Sequence, residues 1–219
     1  MISSYEAVLS HLPFLLMGIP VTLGVSLTAI VLGSIGGMLL NLMMLTRNRS
    51  GRYLARAYIS IFRGTPVLLQ LLVVYYVPGS MGFDIKPFPA AMLALALNTA
   101  AYQAEIYRGG FSLIPKGHME AAKVLGISHT QAFLRIQVPQ VYRLVMPSLF
   151  NELILVLKAS SLVSIISVVD LTRRAQEIVS ATQLPIEIYI ITGIIYILIN
   201  MAIARIGLRI EKTMGVYNR

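Results

Sequence analysis

The sequence predicts an all-α integral membrane protein, a helical bundle with five transmembrane helices. Of its 219 residues, 57% are hydrophobic and 12% are charged, against about 25% charged residues in an ordinary soluble domain. Five apolar stretches are each long enough to cross the hydrocarbon core of a bilayer as a helix. They cover residues 19–45, 58–77, 89–106, 145–169 and 188–204.

Each stretch has its own charge pattern. The first lies in a run without any charge from Leu12 to Thr46, and no basic region precedes it, so we predict a retained span rather than a signal peptide. The second contains one charge and the third includes an acid near its end. The fourth carries one acid and one base, and the fifth has none. These four ionisable residues are Arg63, Glu105, Glu152 and Lys158.

The positive charges predict an orientation, because cytoplasmic loops are enriched in Lys and Arg. With the N-terminus outside and the C-terminus in the cytoplasm, the inner segments carry thirteen of the 18 Lys and Arg residues and the outer segments carry three. The net charge of +9 is then explained without nucleic acid. The chain has no cysteine, which excludes disulfides, thiolate metal sites and thiol nucleophiles.

The largest inner loop, residues 107–142, has the pattern of a structured segment. A break around Pro115 precedes a short helix over 118–125, Gly126 supplies a helix stop, and Ser128 caps a second helix that we expect to end before Pro139. Residues 120–128 also resemble the start of a DNA-binding helix-turn-helix. The second helix offers only Arg135 as a cation, however, and membrane spans flank it. An unremarkable cytoplasmic loop is the other alternative.

Several motifs resemble the permease subunits of ATP-binding-cassette importers. Glu120-Ala121-Ala122, Gly126 four residues on, then Ile136 and Pro139 are similar to the cytoplasmic signature of that family, with Val138 in place of the usual Leu. Further stretches resemble its polar amino acid branch. They are Phe62-Arg63-Gly64-Thr65-Pro66, residues 97–102, residues 104–109 and Asn151-Glu152.

The resemblance implies a type I importer transmembrane domain over residues 18–211, after an external segment 1–17 and before a cytoplasmic tail 212–219. In that family the loop couples the permease to its ATPase, so coupling residues are expected at Glu120, Ala121, Ala122 and Gly126. The two alanines leave room for close backbone approach, Gly126 permits the turn, and Glu120 is able to accept a charge-assisted hydrogen bond.

The chain lacks a G-x-x-x-x-G-K-[ST] phosphate loop, so it is not the ATPase, and we expect no enzymatic activity and no bound cofactor or metal. The resemblance places ATP and Mg on two partner ATP-binding subunits. It also implies a second permease subunit, as a homodimer or heterodimer, an external substrate-binding protein, an amino acid substrate and a location in the bacterial cytoplasmic (inner) membrane.

Polar residues within the spans are candidates for a substrate path, because buried ionisable groups face the bundle interior or a water-filled route. Arg63 and Glu105 either form a structural ion pair with each other or have a role in the function of the protein. Gly64 and Pro66 favour a broken helix, which in transporters exposes backbone groups to substrate. The candidate path residues are Gly64, Thr65, Pro66, Asn98, Tyr102, Asn151, Glu152, Lys158, Ser160 and Ser161.

The sequence also bears on the charge of the substrate and on two alternative functions. Ala159 stands where the resembled family usually has Asp, which favours a neutral or acidic substrate, or a site held by the partner chain. An ATP-independent channel or secondary amino acid carrier would use the same buried charges without needing the loop. A membrane-anchored DNA-binding regulator would bind nucleic acid in a salt-dependent way.

Overall fold

The computed structural model describes residues 4–214, with side chains from residue 9 onward, and this part of the chain is helical without strands. The predicted tail therefore lies mostly outside the described residues. The α-helices, in chain order, are α1 Ser4–Leu16, α2 Ile19–Leu45, α3 Arg49–Gly64, α4 Val67–Ser80, α5 Pro87–Ser112, α6 Lys116–Val124, α7 His129–Ala132, α8 Val138–Ala159, α9 Leu171–Thr182 and α10 Pro185–Thr213.

Within residues 4–214, three helical stretches are long and apolar enough to cross a membrane: Leu9–Leu45, His129–Ile166 and Pro185–Thr213. Helices α3 and α4 add a fourth if they are taken as one span bent by 108°. Helix α5 is long enough but more polar, and it buries polar residues such as Thr99 and Gln103 inside the bundle. The count of five spans and the orientation of the termini stay predictions.

The core of the bundle is the pair α2 and α5. A Cβ added at Gly33 would lie 2.6 Å from the Cγ2 of Thr99, and one at Gly37 would lie 2.9 Å from the backbone nitrogen of Ala104. No larger side chain fits at either position. Small residues on both helices therefore set the separation of the two backbones, which is how helices associate tightly where no hydrophobic effect drives them together.

A buried amide ties the same two helices together. Gln103 on α5 is fully buried, and its Oε1 accepts from the Ser34 hydroxyl at 2.6 Å and from the Tyr107 hydroxyl at 3.2 Å. Its Nε2 donates to the carbonyl of Ile30 at 3.3 Å. Because these partners satisfy the amide on both sides, Gln103 fixes the register of α5 along α2.

The long inner loop contains the predicted short helix, as α6, but the expected end of the second helix before Pro139 is wrong. Helix α7 passes through a π-helical turn, Phe133–Gln137, directly into α8. The backbone N–H of Val138 donates to the carbonyl of Phe133, five residues earlier. This wider turn accommodates Pro139, which has no N–H to give and would crowd the carbonyl four residues back in a regular α-helix.

The fourth predicted span also ends differently. Helix α8 stops at Ala159, a 3₁₀ segment runs over Ser160–Ile166, and Ser167 adopts a left-handed φ of 64° that turns the chain toward α9. The sequence analysis did not anticipate α9. This helix packs against α1, α2 and α10, and it buries Leu171, Ala175 and Ile178.

A buried carboxyl begins α9. The Oδ1 of Asp170 accepts from the backbone N–H of Arg173 at 2.8 Å and so caps the helix, while the Tyr196 hydroxyl on α10 donates to its Oδ2 at 3.4 Å. The next residue, Leu171, donates its N–H to the Thr22 hydroxyl on α2 at 3.1 Å. Burial raises the pKa of Asp170 to about 6, although the hydrogen bonds it accepts oppose the shift.

We predict that Asp170→Asn stabilises the protein increasingly as pH rises. The native pKa lies above the unfolded value of about 3.9, so the carboxyl favours folding while protonated, and this contribution is lost as pH rises through about 6. Asparagine keeps the cap and cannot ionise. Thermal unfolding in detergent between pH 4 and 8 measures the difference, with the exposed Asp84→Asn as control. A pH-independent difference would contradict the prediction.

Candidate functional site

The predicted break in the second apolar stretch is confirmed, at the joint between α3 and α4. Pro66 has no N–H to donate to the carbonyl of Phe62, four residues earlier. The side chain of Gln70 replaces that bond, since its Nε2 donates to the carbonyl of Phe62 at 2.8 Å and to the carbonyl and hydroxyl of Thr65 at 3.1 and 2.8 Å. The freed backbone groups are therefore satisfied within the bundle.

Asn98 on α5 holds the same joint from the opposite side. Its Nδ2 donates to the Phe62 carbonyl at 3.3 Å and to the Oε1 of Gln70 at 2.9 Å. Tyr58 adds a second link between α3 and α5, with its hydroxyl donating to the carbonyl of Leu97 at 2.8 Å. The bend is thus a hydrogen-bonded structure that includes the middle of α5.

A cavity of about 320 Å³ lies beside this joint, between α4, α5 and α8. Five predicted path residues line it, together with Ala159 and several apolar side chains. The five are Thr65, Pro66, Asn98, Tyr102 and Glu152. Hydroxyl, amide and carboxyl groups here face one apolar space, which is the usual chemistry of a site for a small polar molecule.

A second cavity, of about 580 Å³, shares Tyr102 and Glu152 with the first. It is also lined by Asn151, Arg63 and Glu105. The guanidinium of Arg63 lies 3.8 Å from Glu105 and 5.4 Å from the centre of the Tyr102 ring. Glu105 also accepts from the Nε of Arg108 at 3.0 Å. The charges of α3 and α5 thus meet at the wall of this cavity.

Four predicted path residues, all within the described part of the chain, line neither cavity: Gly64, Lys158, Ser160 and Ser161. The two serine hydroxyls donate to carbonyls three residues earlier, in the last turn of α8, those of Leu157 and Lys158 at 2.8 Å each. Sequence reasoning missed Gln70, which holds the joint. The available signal was a single amide in the otherwise apolar run that follows Pro66.

The loop residues form an exposed surface away from these cavities. Ala122 is buried, whereas Val124 and Leu125 are 88% and 76% exposed at the end of α6. Gly126 follows with a φ of +71°, a conformation that other residues rarely adopt. Glu120 lies beside a cleft of about 600 Å³ between α6 and α7, which His129 and Gln137 also line.

Residues 29–216 match the family of binding-protein-dependent transport system inner membrane components. The chain belongs to this family. The permease is 37% identical to the arginine transport system permease protein ArtQ of Bacillus subtilis, over 96% of each chain. It is 36% identical to the nopaline transport system permease protein NocM of Agrobacterium fabrum, over 98% of this chain and 93% of that protein.

The fold of the permease also matches a solved structure. It aligns with a chain of an amino acid ABC transporter crystallised with histidines, with a TM-score of 0.90, 34% identity, and coverage of 97% of this chain and 100% of that one. The all-helical type I permease fold is therefore confirmed.

Gln70→Leu should loosen the joint between α3 and α4, because it removes the donor to the Thr65 carbonyl and leaves the Phe62 carbonyl with only the longer bond from Asn98. Each unpaired buried group costs about 1–3 kcal/mol. We expect a lower unfolding temperature and faster amide hydrogen exchange over residues 62–71. Gln131→Leu, at an exposed position, serves as the control. Unchanged exchange across the joint would contradict the role assigned to Gln70.

Proposed function

We propose that the permease is the membrane-spanning subunit of an ATP-driven importer for a polar amino acid and that it works in the bacterial cytoplasmic membrane. Its family membership and the amino acid systems named for its relatives support the transport class. The observation that carries the coupling is the exposed apolar end of α6, followed by the left-handed turn at Gly126.

The loop suits contact with an ATPase subunit. Val124 and Leu125 present adjacent apolar side chains to the outside of the bundle, which indicates a protein contact rather than a solvated turn. Exposed Ala121 allows a partner backbone to approach closely, and Glu120 at the neighbouring cleft supplies a carboxylate for a cationic partner group. Two such loops, from a pair of permease chains, would engage two ATPase subunits that carry ATP and Mg.

Coupling needs a path from the loop to the cavities, and α8 provides one. The helical stretch His129–Ile166 begins directly after the loop turn. The same stretch carries Asn151, Glu152 and Ala159, which line the cavities. Closure of the ATPase pair would displace α6, move α8 against α5, and so change which side of the membrane the cavities face. Every step is a conformational change, and the chain itself performs no covalent chemistry.

The substrate would occupy the cavity between α4, α5 and α8, delivered by an external binding protein. Asn98 has its Oδ1 available there, since its Nδ2 donates to the joint. Thr65 and Tyr102 add hydroxyls, and Glu152 adds a carboxyl. Ala159 supplies no second acid. If Glu152 pairs with the ammonium group that every amino acid carries, no acid remains for a cationic side chain, which favours a neutral polar amino acid over a cationic one.

Leu125→Asp and Glu120→Lys should uncouple the permease from its ATPase without unfolding it, because both side chains are exposed. Losing a central interface contact weakens association about tenfold or more. We expect less co-purified ATPase and little substrate-stimulated ATP hydrolysis in proteoliposomes, with Thr213→Asp as an exposed control. Full ATP-dependent uptake by both variants would refute the coupling role, and ATP-independent uptake would favour a channel or secondary carrier.

Ala159→Asp should move substrate preference toward cationic amino acids. A carboxylate in this cavity attracts a cationic side chain and repels an anionic one, and we expect the ratio of arginine to glutamate uptake to rise about tenfold. Ala159→Asn is the uncharged control of equal size. Uptake of labelled arginine, glutamine and glutamate measures the ratio, and equal preferences in both variants would place the substrate elsewhere.

A further inference from the structure

Helix α3 carries four arginines on one side, and only one of them contacts an acidic residue. Arg49, Arg52, Arg56 and Arg63 are spaced at i, i+3, i+7 and i+14, which places them on one side of the helix. Arg63 contacts Glu105 and Tyr102. The other three form no ion pair with any residue of the described chain, and no acidic residue occurs between positions 7 and 83.

The opposite side of α3 is apolar and exposed. Leu54 and Ile61 are 61% and 60% exposed and lie seven residues apart, on the same side as Tyr58. Leu54 lies about 200° around the helix from Arg56. Between these two sides, Ala55 and Ile59 are buried and pack the helix onto the bundle. Helix α3 therefore has a packing side, a basic side and an apolar side.

The basic and apolar sides of α3 lie at different positions along α5. On the apolar side, the hydroxyl of Tyr58 contacts the carbonyl of Leu97. On the basic side, Arg63 contacts Glu105, about two turns further along α5. The arginines thus lie on the side toward the end of α5 that leads into the inner loop, and the exposed Leu54 and Ile61 lie on the side toward the middle of α5.

The bend between α3 and α4 sets the direction of the whole helix. Their axes differ by 108°, so α3 lies close to the membrane plane if α4 runs across the membrane. An amphipathic helix in this position buries its apolar side among acyl chains and holds its cations at the level of the phosphates. The planar guanidinium group of arginine matches phosphate oxygens in geometry as well as in charge.

We propose that Arg49, Arg52 and Arg56 form a binding site for the headgroup of an anionic phospholipid in the cytoplasmic leaflet. The positive charge of these residues favours an anionic lipid, because three cations without protein partners lie beside apolar side chains that a bilayer would cover. A protein partner would have to cover both sides of the helix at once. The inference goes beyond the proposed transport function, and it requires that α4 crosses the membrane and that the inner loop faces the cytoplasm.

The test uses the full chain in detergent and measures retention of phosphatidylglycerol by native mass spectrometry, with phosphatidylcholine as the neutral lipid. Each arginine near an anionic surface contributes about fivefold in affinity, so replacing all three by Gln should weaken phosphatidylglycerol binding about a hundredfold. Replacement of all three by Lys should retain most of the binding. The control removes the same charge from the exposed positions Arg205, Arg209 and Lys212 on α10.

Phosphatidylglycerol should also raise the unfolding temperature of the wild type and of the Lys variant, but not that of the Gln variant. Binding that persists in the Gln variant, or falls equally in the α10 control, would overturn the proposal. Displacement of the lipid by millimolar inorganic phosphate would also overturn it, by indicating a free-phosphate site. Loss of a co-purifying subunit with lipid binding unchanged would identify a protein contact instead.

Discussion

The close approach of α2 and α5 is the constraint on which the rest of the permease depends. Gly33 and Gly37 permit the contact, and Gln103 fixes its register through Ser34 and the carbonyl of Ile30. Helices α3, α4 and α8 all pack against this pair. Helix α5 supplies Asn98 to the joint of α3 and α4, Tyr102 to both cavities, and Glu105 to Arg63. A shift of α5 by one turn would separate all of these contacts at once.

The joint between α3 and α4 shows how a membrane protein keeps an interrupted helix. A proline removes one backbone bond, and in lipid no water replaces it. Two side-chain amides, from Gln70 and Asn98, supply donors in its place. Because Asn98 also lines the cavity, backbone support and the lining of the proposed substrate site meet in one residue. Substitutions there will therefore mix stability and transport effects, and only paired measurements separate them.

Local signals predicted part of this structure well. Pro66 and Gly126 act on their own turns, so the break and the short helix α6 could be located from the sequence. The continuation of the helix through Pro139 could not be predicted, because a π turn is a response of the neighbouring backbone rather than a preference of one residue. Asn98, Tyr102 and Glu105 are spaced at i, i+4 and i+7, which places them on one side of α5. Spacing did not reveal that the hydroxyls of Ser160 and Ser161 donate to carbonyls three residues earlier. Nor did it reveal that Gln70 holds the joint, which depends on how α3, α4 and α5 pack together.

The continuous helical stretch from His129 to Ile166 has a mechanical consequence. Its 38 residues extend over roughly 55 Å, which exceeds the thickness of the hydrocarbon core. Under the proposed coupling a stretch of that length would work as a lever: a rotation of about 5° at one end would displace the other by about 5 Å, the size of one helical turn. The π turn lies near the end of this stretch that follows the inner loop, where a change of backbone register would absorb or release part of that displacement. One element would then both amplify the movement of the inner loop and absorb part of it.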